Sequence, residues 1–461
     1  MKIQYKSFPN GLDDIAIYLG LNPAKTLFMH STSFDQNDPK YIARKKITGG
    51  KMLYAEILSY VSNKPNGAKA AICYYNDDYL NYYHEIGFLN KDNIIKVYDG
   101  NEITFPYNSV SMMLNKKLKE DDGFRKQLEG YTIVSSYLSE EDVESAKLVN
   151  GKVLMIPYEQ EKFNSKHFFR TLGKKHNFSI VPGLEFKGLE NFDMTEIKKN
   201  YPNSNIWIKL DAQSSGSGNL FFENVGNLSE QYVKDQIREI GLKLYDDDYI
   251  QKNMPFILEL DLASLENAEI VENIGINAVI TPDLVTILGG TSQTVKDGKY
   301  IGSCVSESTY EYVDVAAKAS EEAFAAIGSA GYYGFMTIDM LVVKQNDEIK
   351  AYAIDPNARF SAGTMLLKNI HLADVKNNIK SYGISYTNLL CCEDNNTLEA
   401  FKKAADGLFY DKNTGFGIVP VLVNDLMPLQ PNKYYLKSVL VDEKYEDALE
   451  KFEKFKEYFR R

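Results

Sequence analysis

The chain has 461 residues, too many for one compact core, so about two or three domains are expected. With 44% hydrophobic and 25% charged residues it has the balance of an ordinary soluble globular protein. Its net charge of −11, with no basic cluster to offset it, argues against a nucleic-acid partner.

From about residue 25 to 160, short apolar runs alternate with polar, helix-like segments. The runs are TLFMH (26–30), AAICYY (70–75), IIKVYD (94–99), YTIVSS (131–136) and VLMIPY (153–158). Between them lie MLYAEILSYV, DYLNYYHEIGF, SVSMMLNKKL and EEDVESAKLV. That rhythm predicts βαβ units and a parallel sheet. No GxGxxG follows any of the strands, so the dinucleotide fingerprint is missing. A second region begins near Lys162, where NSKHFFRTLGKKHNF reads as helix and SIVPGLEF leaves it through a proline turn. Two strand-like runs follow, NIWIKLD and NLFFENV, separated by the small-residue loop AQSSGSG. The helical EQYVKDQIREIGLKL precedes DYIQKNMPFILELDL, another strand candidate. A third region is richer in strands: VENIGINAVIT, LVTILGGTSQTV, FMTIDMLVV and IKAYAIDPN, with the helix VDVAAKASEEAFAAIG among them. In the tail, Tyr445, Leu449, Phe452, Phe455 and Phe459 form one helical stripe, expected to dock a closing helix.

Several classes of chemistry are disfavoured. Cys73, Cys304, Cys391 and Cys392 lack metal-ligand spacing, and five histidines make a histidine metal centre improbable. Buried thiols in a reducing compartment are expected. The opening MKIQYKSFPNGLDD lacks the apolar core of a signal peptide and no stretch approaches a membrane span, so a cytoplasmic location without a membrane partner is expected.

Two stretches concentrate the remaining chemistry. In IWIKLDAQSSGSGNLFF (206–222), Lys209 stands on a strand ahead of Ser214, Ser215, Gly216, Ser217 and Gly218. The glycines free backbone N–H groups to turn toward an anion, and the lysine supplies a point charge for phosphate. A plain β-hairpin with a loose tip is the competing reading. It is not a Walker A loop, because no GK[ST] follows. In GYYGFMTIDMLVV, Asp339 faces away from Ile338 and Met340. After the turn KQNDEIK, AYAIDPNARF places Asp355, Asn357 and Arg359 at alternate positions, hence on one face. Two carboxylates and an amide oxygen on adjacent strands make a hard-oxygen cage suited to magnesium, with Arg359 in reach of a phosphate or carboxylate. The alternative is that the acids merely cap strand ends.

In this order, the lysine with its small-residue flap, the acidic strand FILELDL, the acidic strand TIDML and the D-x-N-x-R motif resemble the ATP-grasp ligases. The family's last motif usually opens with glutamate, so Asp355 is a one-carbon departure. NIGINAVITPD, TSQTVKDGKYIGS and GYYGFMTIDML look like the peptide-ligase branch with a pre-ATP-grasp domain, which includes the pheganomycin-type ligase and carrier-protein amino-acid ligases. The resemblance implies an α/β protein: a parallel-sheet pre-ATP-grasp domain at 1–160, then a two-lobed, mostly antiparallel ATP-grasp fold. Its small lobe would span 161–260 and its large lobe, with a helical closing segment, 261–461.

Residue by residue, it implies ATP and Mg²⁺ (Mn²⁺ as a substitute) as cofactors. Lys166 falls at the first nucleotide lysine, with Lys162 the alternative, and Lys209 at the second. Ser214 to Gly218 match the flap, Glu259 the hinge acid, and the backbones of Leu260 and Asp261 the groups reading adenine. Glu266, Glu269 and Glu272 compete for the ribose. Asp339, Asp355 and Asn357 match the metal ligands, Arg359 the phosphate or carboxylate clamp, and Gln293 a polar position on the acceptor side. The implied activity joins a carboxylate (amino acid or peptide) to an amine or carrier thiol through an acyl phosphate, releasing ADP and phosphate. Small-molecule acid and amine substrates, an acyl carrier protein and a homodimer are the partners the resemblance admits. The alternatives are a phosphotransferase acting on a hydroxyl and a non-catalytic ATP-binding module.

Overall fold

A computed structural model describes residues 1–29, 61, 63–72, 77–97, 110–136, 138–211, 218–296, 299–361, 363–392, 398–423 and 433–460. It is a mixed α/β structure built on one parallel and two largely antiparallel sheets. Among the described residues no helix is long and apolar enough to cross a membrane.

Strand β1 (Lys2–Tyr5) pairs in parallel with the strand Leu284–Lys296 of a distant sheet. The parallel sheet follows, from β2 (Thr26–Met29), β3 (Lys69–Ile72), β4 (Ile94–Lys96), β5 (Thr132–Ser135) and β6 (Lys152–Val153), in the order β4-β3-β2-β5-β6. The apolar runs read as strands because helices bury both faces, which removes any need for alternation. The strand order reverses between β2 and β5, and connections diverging there leave a crevice at the strands' carboxyl ends. Of VLMIPY, only Val153 is strand. Pro157 instead opens the short helix Pro157–Glu161, whose first turn suits its fixed φ. MLYAEILSYV lies, apart from Val61, outside the described residues.

Asp142 is buried where the helix Glu140–Leu148 meets the helix Val110–Glu120, and its carboxylate accepts from the Ser139 amide at 2.8 Å in a capping box. Burial pushes its carboxyl up to about 7, against the opposing hydrogen bonds from Ser111 and Ser139. An acid that holds its proton more tightly when folded stabilises the fold at low pH. That contribution is complete below the unfolded value of about 4 and fades as pH rises toward 7. Urea midpoints are therefore expected to fall between pH 5 and pH 8, and Asp142→Asn to flatten that slope.

A four-stranded antiparallel sheet comes next: β7 (Gly183–Lys187), β8 (Ile206–Leu210), β9 (Asn219–Phe222) and β10 (Pro255–Leu260), ordered β7-β10-β8-β9. Alternation sends Phe186, Ile206, Ile208, Leu210, Phe256 and Leu258 into one core with Val233 and Ile237 of the helix Glu230–Gly241. Glu185, Trp207, Lys209 and Glu259 are left on the other face. DYIQK is not strand but the helix Asp247–Lys252, because Asp246 caps it through the Tyr249 amide at 2.8 Å.

The largest sheet has nine strands including β1. The rest are β11 (Ala268–Ile280), β12 (Leu284–Lys296), β13 (Lys299–Val305), β14 (Gly334–Gln345), β15 (Glu348–Asn357), β16 (Tyr382–Cys392), β17 (Gly417–Val423) and β18 (Lys433–Asp442). Their order is β15-β14-β11-β12-β13-β16-β18-β17. The helix Glu307–Ser329 covers one face, where Ala316, Ala323 and Phe324 meet Ile274, Ile276, Ile338 and Met340. On the opposite face, Leu341 and Val343 join the core of the four-stranded sheet, so that lobe stands over one end of the large one. The closing helix Tyr445–Arg460 docks through Ala448, Phe452 and Phe455, while Leu449 is exposed. The expected stripe is thus one residue off at its second position, as 3.6-residue periodicity favours 448 over 449 beneath 452 and 455. The Phe459 side chain lies outside the described residues.

Candidate active site

The β14–β15 hairpin sets Asp339 directly opposite Asp355, with a register shift just after the pair. Asn357 Nδ2 donates to Asp339 Oδ2 at 3.2 Å. Because Ile338 and Met340 point into the helix-covered core, Asp339 emerges on the face the four-stranded lobe overhangs. Gly275 on β11 lies opposite Asp339. A Cβ there would stand 3.2 Å from Asp339 Oδ1, so the glycine keeps open the space before the carboxylate. Gln293 on β12 hydrogen-bonds Asp339, and Asn273 Nδ2 reaches Gln293 Oε1 at 3.4 Å. Burial first, and then the neighbouring Asp355, hold the Asp339 carboxyl above the usual range, against Gln293, Arg359 and Lys166.

Lys166 closes the cage. It is the first residue of the helix Lys166–His176 and its Nζ lies 2.9 Å from Asp355 Oδ1, with the lysine side chain only 7% exposed. Ser165 caps the helix through the Phe168 amide. Asp211, just beyond β8, accepts from Ser165 Oγ at 2.7 Å and the His167 amide at 2.9 Å, which supplies the negative charge a helix N-terminus favours. The alternative, Lys162, lies instead over the rings of Phe163 and Phe168. Arg359 donates through Nη1 to Asn164 Oδ1 at 2.9 Å, and the same oxygen receives the Ala358 amide. One asparagine thereby fixes both the turn after β15 and its guanidinium.

A second charged cluster lines the underside of the small lobe. Lys209 sits opposite Ile257, two residues from Glu259 on the same face, and Lys209 Nζ reaches Glu259 Oε2 at 2.6 Å. Arg170 Nη1 holds the other oxygen at 2.8 Å, and Arg170 Nε reaches Glu185 at 3.0 Å. Arg170 and Glu259 are each 2% exposed. Burial pushes the Glu259 carboxyl up, but Lys209 and then Arg170 outweigh it and hold it below the usual range. The amides of Leu260 and Asp261 donate to the carbonyls of Pro182 and Asn205, each at 2.9 Å. Trp207 shares this face with Lys209, its ring centroid 4.7 Å from that of Phe221. Of the flap, Gly218 accepts the Leu210 amide at 3.0 Å, while Ser214, Ser215, Gly216 and Ser217 lie outside the described residues. Glu266 and Glu269 are exposed, and Glu272 accepts from Ser308 Oγ at 2.8 Å.

Beside Arg359, a narrow crevice of about 30 Å³ opens at the carboxyl end of β5, between Ser135, Ser136 and Met155 on one side and Tyr333 and Phe360 on the other. It lies on the β6 side of β5 and is walled by the large lobe. Asn164, Arg170 and Asp211 were not singled out from the sequence. Arg170 stands four residues after Lys166 on one helix face and Asp211 two after Lys209, just past the end of β8, which are readable spacings. Asn164 carries no local signal.

The donor set fits a hard divalent cation. Two paired carboxylates and an amide are oxygen ligands, Asp339 and Asp355 repel each other in a way a cation between them would relieve, and Gly275 keeps the approach clear. Among the described residues no group of three His, Cys, Asp or Glu could hold a metal by itself. A cation held by Asp339, Asp355 and Asn357 would need further ligands from outside these side chains.

No family model and no curated relative matches the chain. Its fold is shared with N5-carboxyaminoimidazole synthase from Aspergillus clavatus, solved with ADP and 5-aminoimidazole ribonucleotide, at 10% identity and a TM-score of 0.52, covering 95% of this chain and 100% of that one. It is shared likewise with N5-carboxyaminoimidazole synthetase from Staphylococcus aureus, solved with ADP, at 11% identity and a TM-score of 0.51, covering 94% and 97%. Biotin carboxylase from Campylobacter jejuni matches at 14% identity and a TM-score of 0.51 over 93% and 89%. Each of these matches covers more than nine-tenths of the chain, so the likeness is one of the whole fold.

Proposed function

We propose that the chain is an ATP-dependent ligase that activates a carboxylate as an acyl phosphate and passes it to an amine or a carrier thiol. The observation that carries this reading is the β14–β15 cage, with Asp339 opposite Asp355, Lys166 at 2.9 Å from Asp355, and Arg359 fixed beside them by Asn164. The solved neighbours with ADP bound add weight to a nucleotide in the cleft between the antiparallel lobes. We assign residues 1–160 to a pre-ATP-grasp domain, 161–260 to the small lobe and 261–461 to the large lobe.

Asp339, Asp355 and Asn357 would hold Mg²⁺, which when bound neutralises phosphate charge and orients the terminal phosphoryl group for in-line attack. Lys209 neutralises nucleotide phosphates from the small lobe, and Trp207 offers an aromatic wall on the same face. Arg359 binds the donor carboxylate and then steadies its phosphorylated form, at the crevice beside β5. The serine-glycine flap excludes water from an intermediate that hydrolyses readily. No side-chain nucleophile takes part, because the carboxylate itself attacks phosphorus and the acceptor displaces phosphate.

The test is ADP release over pairs of amino acids and peptides, with hydroxylamine as a trapping acceptor. Acid-dependent ADP and a hydroxamate are expected. A stable phosphorylated product would replace the ligase with a phosphotransferase. Trp207 is the chain's single tryptophan, so its fluorescence reports nucleotide directly. A response to ATP without turnover of any pair would leave a binding module.

A further inference from the structure

The position of Lys166 is unfavourable for a lysine on two counts. It is buried, and it is the first residue of a helix, where the macrodipole opposes a cation. The helix is already capped by Ser165 and Asp211, so Lys166 adds nothing to its start. Its ammonium is directed to Asp355, the carboxylate facing Asp339 across the hairpin. We propose that Lys166 is the resident counter-ion of this carboxylate pair, and that it makes divalent cation and nucleotide bind cooperatively. The proposal rests on reading Asp339, Asp355 and Asn357 as metal ligands, but not on the ligase chemistry.

The physical reason is competition for one oxygen. A cation entering without nucleotide must displace the ammonium from Asp355 and leave it buried without that compensation, which is costly. A nucleotide phosphate offers Lys166 a second anionic partner in the same cleft, so the ammonium can leave Asp355 without losing its compensation. Each ligand thereby lowers the cost of the other, and the coupling is reciprocal. Arg359 also offsets the charge of Asp339, but it is tethered by Asn164, and the direct contact with Asp355 is made by Lys166. Lys209 does not either, being held by Glu259 in the other lobe.

The experiment is a Mn²⁺ titration followed by electron paramagnetic resonance, with and without a non-hydrolysable ATP analogue. Without nucleotide, Lys166→Met and Lys166→Gln are expected to bind Mn²⁺ about tenfold more tightly than the natural chain, within the usual range of coupling factors. Lys166→Arg keeps the counter-ion and should remain as weak as the natural chain. In the natural chain the analogue should strengthen Mn²⁺ binding, and Mn²⁺ should strengthen analogue binding, read by Trp207 fluorescence, by the same factor. Circular dichroism checks the fold of each variant, and the natural-chain arm needs no variant. Equal Mn²⁺ affinity in the natural chain and both neutral variants would overturn the proposal, as would no reciprocal coupling in the natural chain. Mn²⁺ uptake by no form, with or without analogue, would overturn the metal cage itself, whereas failure of the ligase reading alone would leave these titrations unchanged.

Discussion

Glu259→Gln is expected to destabilise the small lobe by about 3–5 kcal/mol, the usual cost of removing one partner from a buried ion pair. Glu259 neutralises two cations at once, Lys209 at 2.6 Å and Arg170 at 2.8 Å, and Arg170 is almost fully buried. Glutamine keeps the shape and one acceptor oxygen but leaves Arg170 with only its contact to Glu185, at 3.0 Å, as a carboxylate partner among the described residues. Urea denaturation measures the loss, and a midpoint close to that of the natural chain would contradict the assignment. Asp247→Asn is the control. Its pair with Arg238 is as short, at 2.6 Å, but half-exposed, so little change is expected there. Glu259→Gln also frees Lys209 from its carboxylate, so nucleotide affinity should rise if Lys209 meets phosphate as proposed.

Asp355→Asn is expected to lower acid-dependent ADP release by roughly two to three orders of magnitude, the range for removing one preorganised charged contact at a reacting phosphoryl group. Stability should change less than for Glu259→Gln, because the partner lost to buried Lys166 is offset by relief of the repulsion between Asp355 and Asp339, and Asp355 is itself a quarter exposed. Trp207 fluorescence should still respond to nucleotide, separating lost catalysis from lost binding. Turnover within about fivefold of the natural chain would remove Asp355 from the site.

The parallel sheet was legible because its strands are apolar runs with helical segments between them, and so was the β14–β15 hairpin, where one polar turn divides two strands. Strand β6 was less so, since nothing in VLMIPY except Pro157 tells a two-residue strand from a six-residue one. β13 and the strands from β16 to β18 went unmarked. They are antiparallel partners whose pattern is set by the sheet and closing helix they pack against, not by local residue preference. Period-2 alternation pointed to Asp339, Asp355 and Asn357, but the register shift at Ile354, which turns Asp355 away from the core that Ala353 enters and onto the face of Asp339, has no signal in the sequence. What alternation does not give is the pairing of charges across elements. Lys166 with Asp355, Arg359 with Asn164, and Glu259 with Arg170 join residues far apart in the chain, and only the packing of helix Lys166–His176 between the lobes brings them together.

Strand β1 lies against β12, with Gln4 bonded to Thr286 across 282 residues of chain. During synthesis β1 leaves the ribosome long before its partner exists, at elongation rates of about 5–20 residues per second a wait of many seconds. The whole parallel-sheet unit is then a loop whose two ends are pinned to the same distant sheet, and its closure depends on a contact among the most non-local in the molecule. β1 is therefore expected to be the last strand of the large sheet to gain protection from hydrogen exchange on refolding, with its exposed edge open to pairing with other chains until then.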